Sequence, residues 1–282
     1  MADLGRYSIV TINRFTDFGA YIEGGDLGEI LLPIRYIGRK YEKGDEIEVF
    51  IYLDNEERYI ATTEDVIAEA GECGYMDIVD VNEHGAFADW GLTKDLFIPF
   101  REQQNKLVQG ESAVVYVYID DQTNRITGTT KIEDRIRHDS TGFRTNDKVK
   151  AIVLRRTPAG FLCVLDSRCL GMLYENELFE DIRVGDKLTV FIKKIRSDRR
   201  VDLRLREPGY GSVRDFSDDL YDYLVKHKVS NIHDKSDPKA ISEVFGVSKK
   251  VFKKAVGKLY KEKKIALLDG RIEILESQDF GE

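Results

Sequence analysis

Cysteine is scarce in this chain of 282 residues. Cys73, Cys163 and Cys169 cannot supply the paired framework that staples small secreted domains, and their spacing is not that of a metal site. His138, His227 and His233 do not gather with acids or cysteines into a ligand set. No stretch approaches the roughly 18 consecutive apolar residues of a membrane span. The opening Met1-Ala2-Asp3-Leu4-Gly5 carries no apolar signal. No glycine-rich segment sits at a strand-to-helix turn where it would cradle a phosphate. The acidic pairs Glu56-Glu57, Asp120-Asp121 and Asp218-Asp219 are adjacent in turns or on helix surfaces, not separated as acid/base chemistry requires. These absences exclude a disulfide scaffold and a helical membrane protein. They leave no catalytic residue, metal ligand or cofactor to name, so a non-enzymatic cytoplasmic protein is expected.

What is present is a soluble composition, 42% apolar and 33% charged, with an uneven distribution of charge. The net charge is −8, yet residues 1–133 hold 12 basic and 26 acidic side chains while residues 134–282 hold 31 and 25. Phosphate attraction is screened over about 10 Å at moderate salt, so local sign outweighs the total. Contacts with phosphate belong mainly to the C-terminal half.

The dominant pattern is a β-rich unit repeated three times. Phe18-Gly19-Ala20-Tyr21 recurs as His84-Gly85-Ala86-Phe87 and Ala159-Gly160-Phe161-Leu162. Leu31-Leu32-Pro33 recurs as Phe97-Ile98-Pro99 and Met172-Leu173-Tyr174, and Gly44-Asp45 as Gly110-Glu111 and Gly185-Asp186. All three landmarks move by 66 and then 75 residues. The first repeat reads as five short strands, at Tyr7–Asn13, Ala20–Ile22, Glu29–Leu32, Glu46–Tyr52 and Arg58–Thr63. In the fourth, whose alternation is nearly perfect, the apolar side chains are expected to face a core and the glutamates the water. Five short strands in so few residues fit a closed barrel without free edges. A polar stretch over 134–146 absorbs the longer second offset. Its Arg135, Arg137 and His138 are either phosphate contacts or part of a solvated connector.

These motifs resemble the S1 family of RNA-binding domains, a branch of the five-stranded oligonucleotide-binding barrels. The resemblance implies RNA contact through two aromatics near the first turn, a histidine after the third strand, and an aspartate–arginine pair. In the first repeat those roles fall on Phe18, Tyr21, Asp54 and Arg58, with Pro33 at the histidine position. In the second they fall on His84, Phe87, Asp120 and Arg125, the last displaced by one extra residue. The third has Ala159 and Leu162 in place of aromatics, but Tyr174 at the proline position and a basic cluster of Lys193, Lys194, Arg196, Arg199 and Arg200. The aromatics either stack bases from an exposed face or plug the core, and the basic cluster either binds phosphate or ends a surface hairpin.

After Pro208-Gly209-Tyr210-Gly211 the period changes. Phe216, Leu220, Tyr223 and Leu224 mark a helix over 215–227. Asp237-Pro238 opens a second helix that Gly246 ends, and Ser248 caps a third carrying Phe252, Val256 and Leu259. Residues 265–268 and 271–275 form a hairpin around Asp269-Gly270. Three helices and a hairpin predict a winged helix-turn-helix. Residues 248–264 hold eight lysines against one glutamate. Lys250, Lys254, Lys258 and Lys261 are expected to form a stripe, with Lys253 beside it and Arg271 on the hairpin. The absence of Arg, Asn and Gln from the third helix argues for phosphate attraction over base reading.

The expected fold is mainly β with a C-terminal α+β domain: S1-like barrels over 1–68, 69–133 and 145–207, then a winged helix over 212–277. That order resembles the bacterial conserved virulence factor B family, which implies a non-catalytic, RNA-binding regulator of gene expression. RNA is the expected partner. Duplex DNA at the winged helix, or a protein docked on the acidic N-terminal barrels, are the alternatives; no membrane partner is expected.

Overall fold

The computed structural model describes residues 2–38, 41–136, 140–175, 182–205, 213–268 and 270–275. The boundary segment 208–211, together with Arg137, His138 and Asp269, lies outside them.

The first barrel comprises β1 (Tyr7–Thr16), β2 (Gly19–Glu23), β3 (Glu29–Pro33), β4 (Glu46–Leu53) and β5 (Tyr59–Thr62). It closes in the order β1-β2-β3-β5-β4, with a parallel β3–β5 seam at Leu31 and Ile60. The second contains β6 (Cys73–Val81), β7 (Gly85–Asp89), β8 (Leu96–Pro99), β9 (Ser112–Ile119) and β10 (Ile126–Thr129), followed by the short helix α1 (Ile132–Arg135). The third, closed like the first, contains β11 (Lys148–Thr157), β12 (Gly160–Leu165), β13 (Cys169–Tyr174), β14 (Lys187–Ile195) and β15 (Val201–Arg204).

The repeat landmarks have a common geometric cause. Gly19 and Gly160 adopt φ of 147° and 142°, and a Cβ there would lie 2.1 Å from the carbonyl oxygen of Leu32 or Leu173. Only glycine lets the second strand lie so close to the third. Each glycine pairs with the last residue of that strand, Pro33, Pro99 or Tyr174. Gly44, Gly110 and Gly185, at φ of 96°, 87° and 92°, each donate their N–H over 2.8 Å to Ile12, Ile78 and Val153. The bulge in the first strand follows those same three acceptors.

Two departures from the sequence pattern matter for function. The second unit is a five-stranded sheet of order β10-β9-β6-β7-β8, without a hydrogen-bonded seam between β8 and β10. β8 is one residue shorter than β3, and a Cβ on Gly128 would meet Ile98 and Leu96 side chains at 2.9 and 3.1 Å, so the seam closes on apolar side chains. In β4 the alternation stops at Val49: Phe50, Ile51 and Tyr52 are all buried. Phe50 and Tyr52 leave the first barrel's own core and join that of the second, with Phe50 meeting the Trp90 ring edge-on at 5.5 Å. A second shared cluster joins Val114, Ile132 and Ile136 to Ile152, Val164 and Leu170, linking the second barrel to the third.

The C-terminal unit orders α2 (Val213–His227), β16 (Val229–Ser230), α3 (Pro238–Phe245), α4 (Lys249–Lys261), β17 (Ile265–Leu268) and β18 (Arg271–Ile274). Asp237 accepts the Lys239 N–H at 2.8 Å, Ser248 accepts that of Val251 at 3.3 Å, and Gly246 ends α3 in the left-handed region at φ 61°. β16 adds a third strand beside the hairpin, in the order β16-β18-β17. No helix among the described residues is long and apolar enough to cross a membrane.

Candidate nucleic-acid interface

In the first barrel the β1–β2 turn throws Phe18 outward, 75% exposed, while its carbonyl accepts the Ile34 N–H at 2.9 Å. The ring has no packing role, so the fold does not explain it. Tyr21, half-buried on β2, lies under the Arg14 guanidinium, 3.8 Å from the ring centroid. Arg14 is re-aimed by the β1 bulge and held by Glu29 at 2.9 Å. Across the β4–β5 hairpin, Arg58 grips Asp54 through Nε at 2.9 Å and reaches Glu56 at 2.9 Å. Burial opposes the Asp54 charge, but the Arg58 and Glu56 backbone N–H groups and the Arg58 guanidinium hold its pKa below the ordinary value. The pKa values of Arg14 and Arg58 are raised, chiefly by Glu29 and Asp54 respectively, with Tyr21 contributing to both. The structure thus brings Tyr21, Asp54 and Arg58 together and adds Arg14, whose only sequence signal is its place after the bulge, while Phe18 stands exposed at the β1–β2 turn of the same barrel. An open ring on the same barrel as a guanidinium-covered ring and a second guanidinium can stack bases and contact phosphates. Acids at this face would repel phosphate, but Glu57 is paired with Arg125, and Glu56 shares Arg58 with Asp54.

The second barrel keeps fewer of the expected contacts. His84 is exposed, 3.6 Å from Glu83. Phe87 is half-buried against Phe97, with ring centroids 5.3 Å apart. Asp120 is buried and accepts from the Thr123 and Gln122 backbones, from the Thr123 hydroxyl, and from Arg101 at 3.0 Å. Its guanidinium partner is therefore Arg101, not Arg125. The longer β9–β10 turn carries Arg125 off that face and into an ion pair with Glu57 of the first barrel. Lys94 crosses the same junction, donating to the carbonyls of Leu53 and Asp54 at 2.9 and 2.8 Å, with burial lowering its pKa. Lys94 does not stand out in the sequence, because a single cross-barrel lysine has no periodic signature.

In the third barrel the basic cluster divides. Arg196 does not project freely: it bonds the Tyr174 hydroxyl and pairs with Asp202 at 2.9 Å, while Tyr174 donates to Asp202 at 3.2 Å. Lys193, Lys194, Arg199 and Arg200 are exposed at the β14–β15 hairpin, with Arg200 3.7 Å from Asp198. Arg199 sits at φ 65° in that turn. Arg135, from the connector, pairs with Glu102 at 3.0 Å and covers the Tyr118 ring, so it belongs to the second barrel's surface.

On α4, Phe252, Ala255, Val256 and Leu259 are buried in the winged-helix core. Lys250, Lys253, Lys254 and Lys261 are exposed and have no ion-pair partner among the described residues. Lys258 is half-buried, 4.0 Å from Glu262, so the charged stripe runs through Lys253 in its place. Gly257 lies within this face, and a Cβ there would meet nothing within 4 Å. Arg271 is exposed but paired with Glu273 at 2.8 Å. Burial pushes the Cys163 thiol up to about 12, keeping it neutral.

Residues 4–64 match the S1 domain model, and residues 218–274 match that of the CvfB-like winged helix domain. The uncharacterized protein YitL of Bacillus subtilis is 28% identical over 272 residues, spanning 93% of this chain and 90% of that protein. The conserved virulence factor B proteins of Staphylococcus saprophyticus and Staphylococcus haemolyticus are 24% and 26% identical, each over 83% of this chain and 81% of their own length. A crystal structure from Streptococcus pneumoniae TIGR4, of a multidomain protein with nucleic acid binding domains, aligns over 96% of this chain and 98% of its own at 24% identity and a TM-score of 0.44. S1 and winged-helix domains are both nucleic-acid-binding folds, which is the function class that the matches support. The first barrel is thus an S1 domain, the last unit a CvfB-like winged helix, and the chain a relative of the conserved virulence factor B proteins.

Proposed function

We propose that this protein is a non-catalytic, cytoplasmic RNA-binding regulator of gene expression that holds single-stranded or structured RNA by several weak contacts at once. Phe18 carries the reading: a ring 75% exposed at the turn of the barrel that also presents Tyr21, Arg14 and Arg58. Bases stack on that surface, while Lys193, Lys194, Arg199, Arg200 and the α4 lysines hold phosphates. Linked sites raise apparent affinity through effective concentration. RNA is favoured over duplex DNA because α4 offers lysines alone toward a groove, which attract backbone but do not read base edges.

The test is binding of the full chain and of Phe18→Ala to single-stranded RNA, single-stranded DNA and duplex DNA at one salt concentration. RNA is expected to bind tightest. Phe18→Ala is expected to weaken it by about 1–3 kcal/mol, the contribution of one stacked base, with an unchanged melting temperature. Preference for a duplex with no effect of Phe18→Ala would instead make this a DNA-binding protein. Absence of nucleic-acid affinity beside a stable protein complex would make it a docking adaptor.

A further inference from the structure

Where the β8–β10 side of the second barrel, whose seam has no hydrogen-bonded ladder, faces the β4–β5 hairpin of the first, the structure leaves a cleft of about 500 Å³, within the usual range for small-ligand sites. Trp90, Phe97 and Phe87 provide aromatic lining. Asn55 stands on the first-barrel side and Asn82 on the second. Asn82 uses its side-chain oxygen to accept the His84 and Gly85 N–H groups, at 2.8 and 3.2 Å, which leaves its amide nitrogen without a partner among the described residues. The Asn55 side chain has no hydrogen-bond partner there either. The ion pair between Arg125 and Glu57 lines the same cleft.

This combination selects an occupant. Aromatic walls suit a flat, weakly polar ring, and the Asn82 amide nitrogen with the Asn55 side chain suits hydrogen-bonding groups on its edge. The one guanidinium is already matched by a carboxylate, so a bare phosphate gains little by entering. The cleft is also continuous with the interface already described, because His84 and Phe87 line it. We propose that it takes one nucleobase, splayed out of a strand lying across the first two barrels. The two barrels then act as a composite site that neither forms alone. The inference rests on the RNA-binding reading, and its test separates the two.

Trp90 is the chain's only tryptophan. It lines this cleft while packing edge-on to Phe50 in the barrel joint, so its emission reports on the cleft and the joint, and the Asn55→Phe variant separates the two. The full chain is titrated with end-labelled single-stranded RNA, following RNA anisotropy and Trp90 fluorescence together. Insertion of a base is expected to change Trp90 emission in step with anisotropy. Asn55→Phe, which plugs the mouth from an exposed turn, is expected to abolish the Trp90 response and weaken binding about 5-fold, the lower end of a stacking contribution. Asn55→Ala leaves the mouth open but removes one amide, so it is expected to keep the Trp90 response at saturating RNA while binding less tightly than the parent chain. A second titration uses adenosine and uridine monophosphates. Trp90 changes with RNA alone assign the base to a bound strand; changes with the monophosphates assign it to free nucleotide. RNA binding with silent Trp90, or an unchanged response in Asn55→Phe, overturns the cleft while leaving RNA binding intact. No RNA binding by the full chain overturns both.

Discussion

Asp120 is held by four bonds: the backbone of Thr123, the backbone of Gln122, the Thr123 hydroxyl and Arg101 all favour its ionised form and lower its pKa from 3.8. A lowered folded-state pKa contributes stability in full above the unfolded value and loses it as pH falls through the folded one. Asp120→Asn is therefore expected to destabilise the protein at neutral pH and to flatten the loss of stability below about pH 4, read by denaturant unfolding across pH. At this scale the sequence was informative where a residue acts locally. Phe18, Tyr21, Asp54 and Arg58 share a repeat unit, and strand register carries Tyr21 on β2 across Leu31 to Ile60 on β5, next to Arg58. Arg14, Arg101 and Lys94 were not legible. Their roles depend on a bulge and on contacts across 15, 19 and about 40 residues, which leave no short-range pattern.

Among the elements, α4 has the most one-sided chemistry. Replacing Lys250, Lys253 and Lys254 together with alanine is expected to reduce the salt dependence of RNA binding by about two units of slope, since each single-strand phosphate contact contributes about 0.7. The measurement is log affinity against log salt concentration, and an unchanged slope removes these lysines from the phosphate contacts. Gly257→Ala tests a separate property of the same helix. Its Cβ would enter open space, so the substitution is expected to stabilise the winged helix by about 1 kcal/mol, seen as a higher melting temperature. Helix boundaries here were legible because caps announce themselves: Asp237, Gly246 and Ser248 all perform the roles their types suggest. The short β16 was not, because two residues carry no period.

Across the whole molecule, the sequence revealed the repeats but not their joints. Regular alternation in β4 points Phe50 and Tyr52 outward, and only the neighbouring barrel turns that outward face into core. Likewise, Ile136 lies in what reads as a polar connector and Ile132 just before it, yet both pack against Ile152, Val164 and Leu170. Ile132→Ala is expected to cost about 2–5 kcal/mol and to lower the unfolding midpoints of the second and third barrels together, as monitored by hydrogen exchange. A midpoint shift confined to one barrel would show that the joint does not couple them. The sharing of Phe50 and Tyr52 also bears on synthesis. The first barrel has a separate core of its own, from Val10 to Ala61, and can collapse as it leaves the ribosome. Its two joint aromatics nonetheless stay bare until Trp90 and the strands around it have been made. The nascent chain therefore passes through an interval with a finished barrel and a sticky flank, when chaperone capture or pairing with a neighbouring nascent chain competes with completion of the joint.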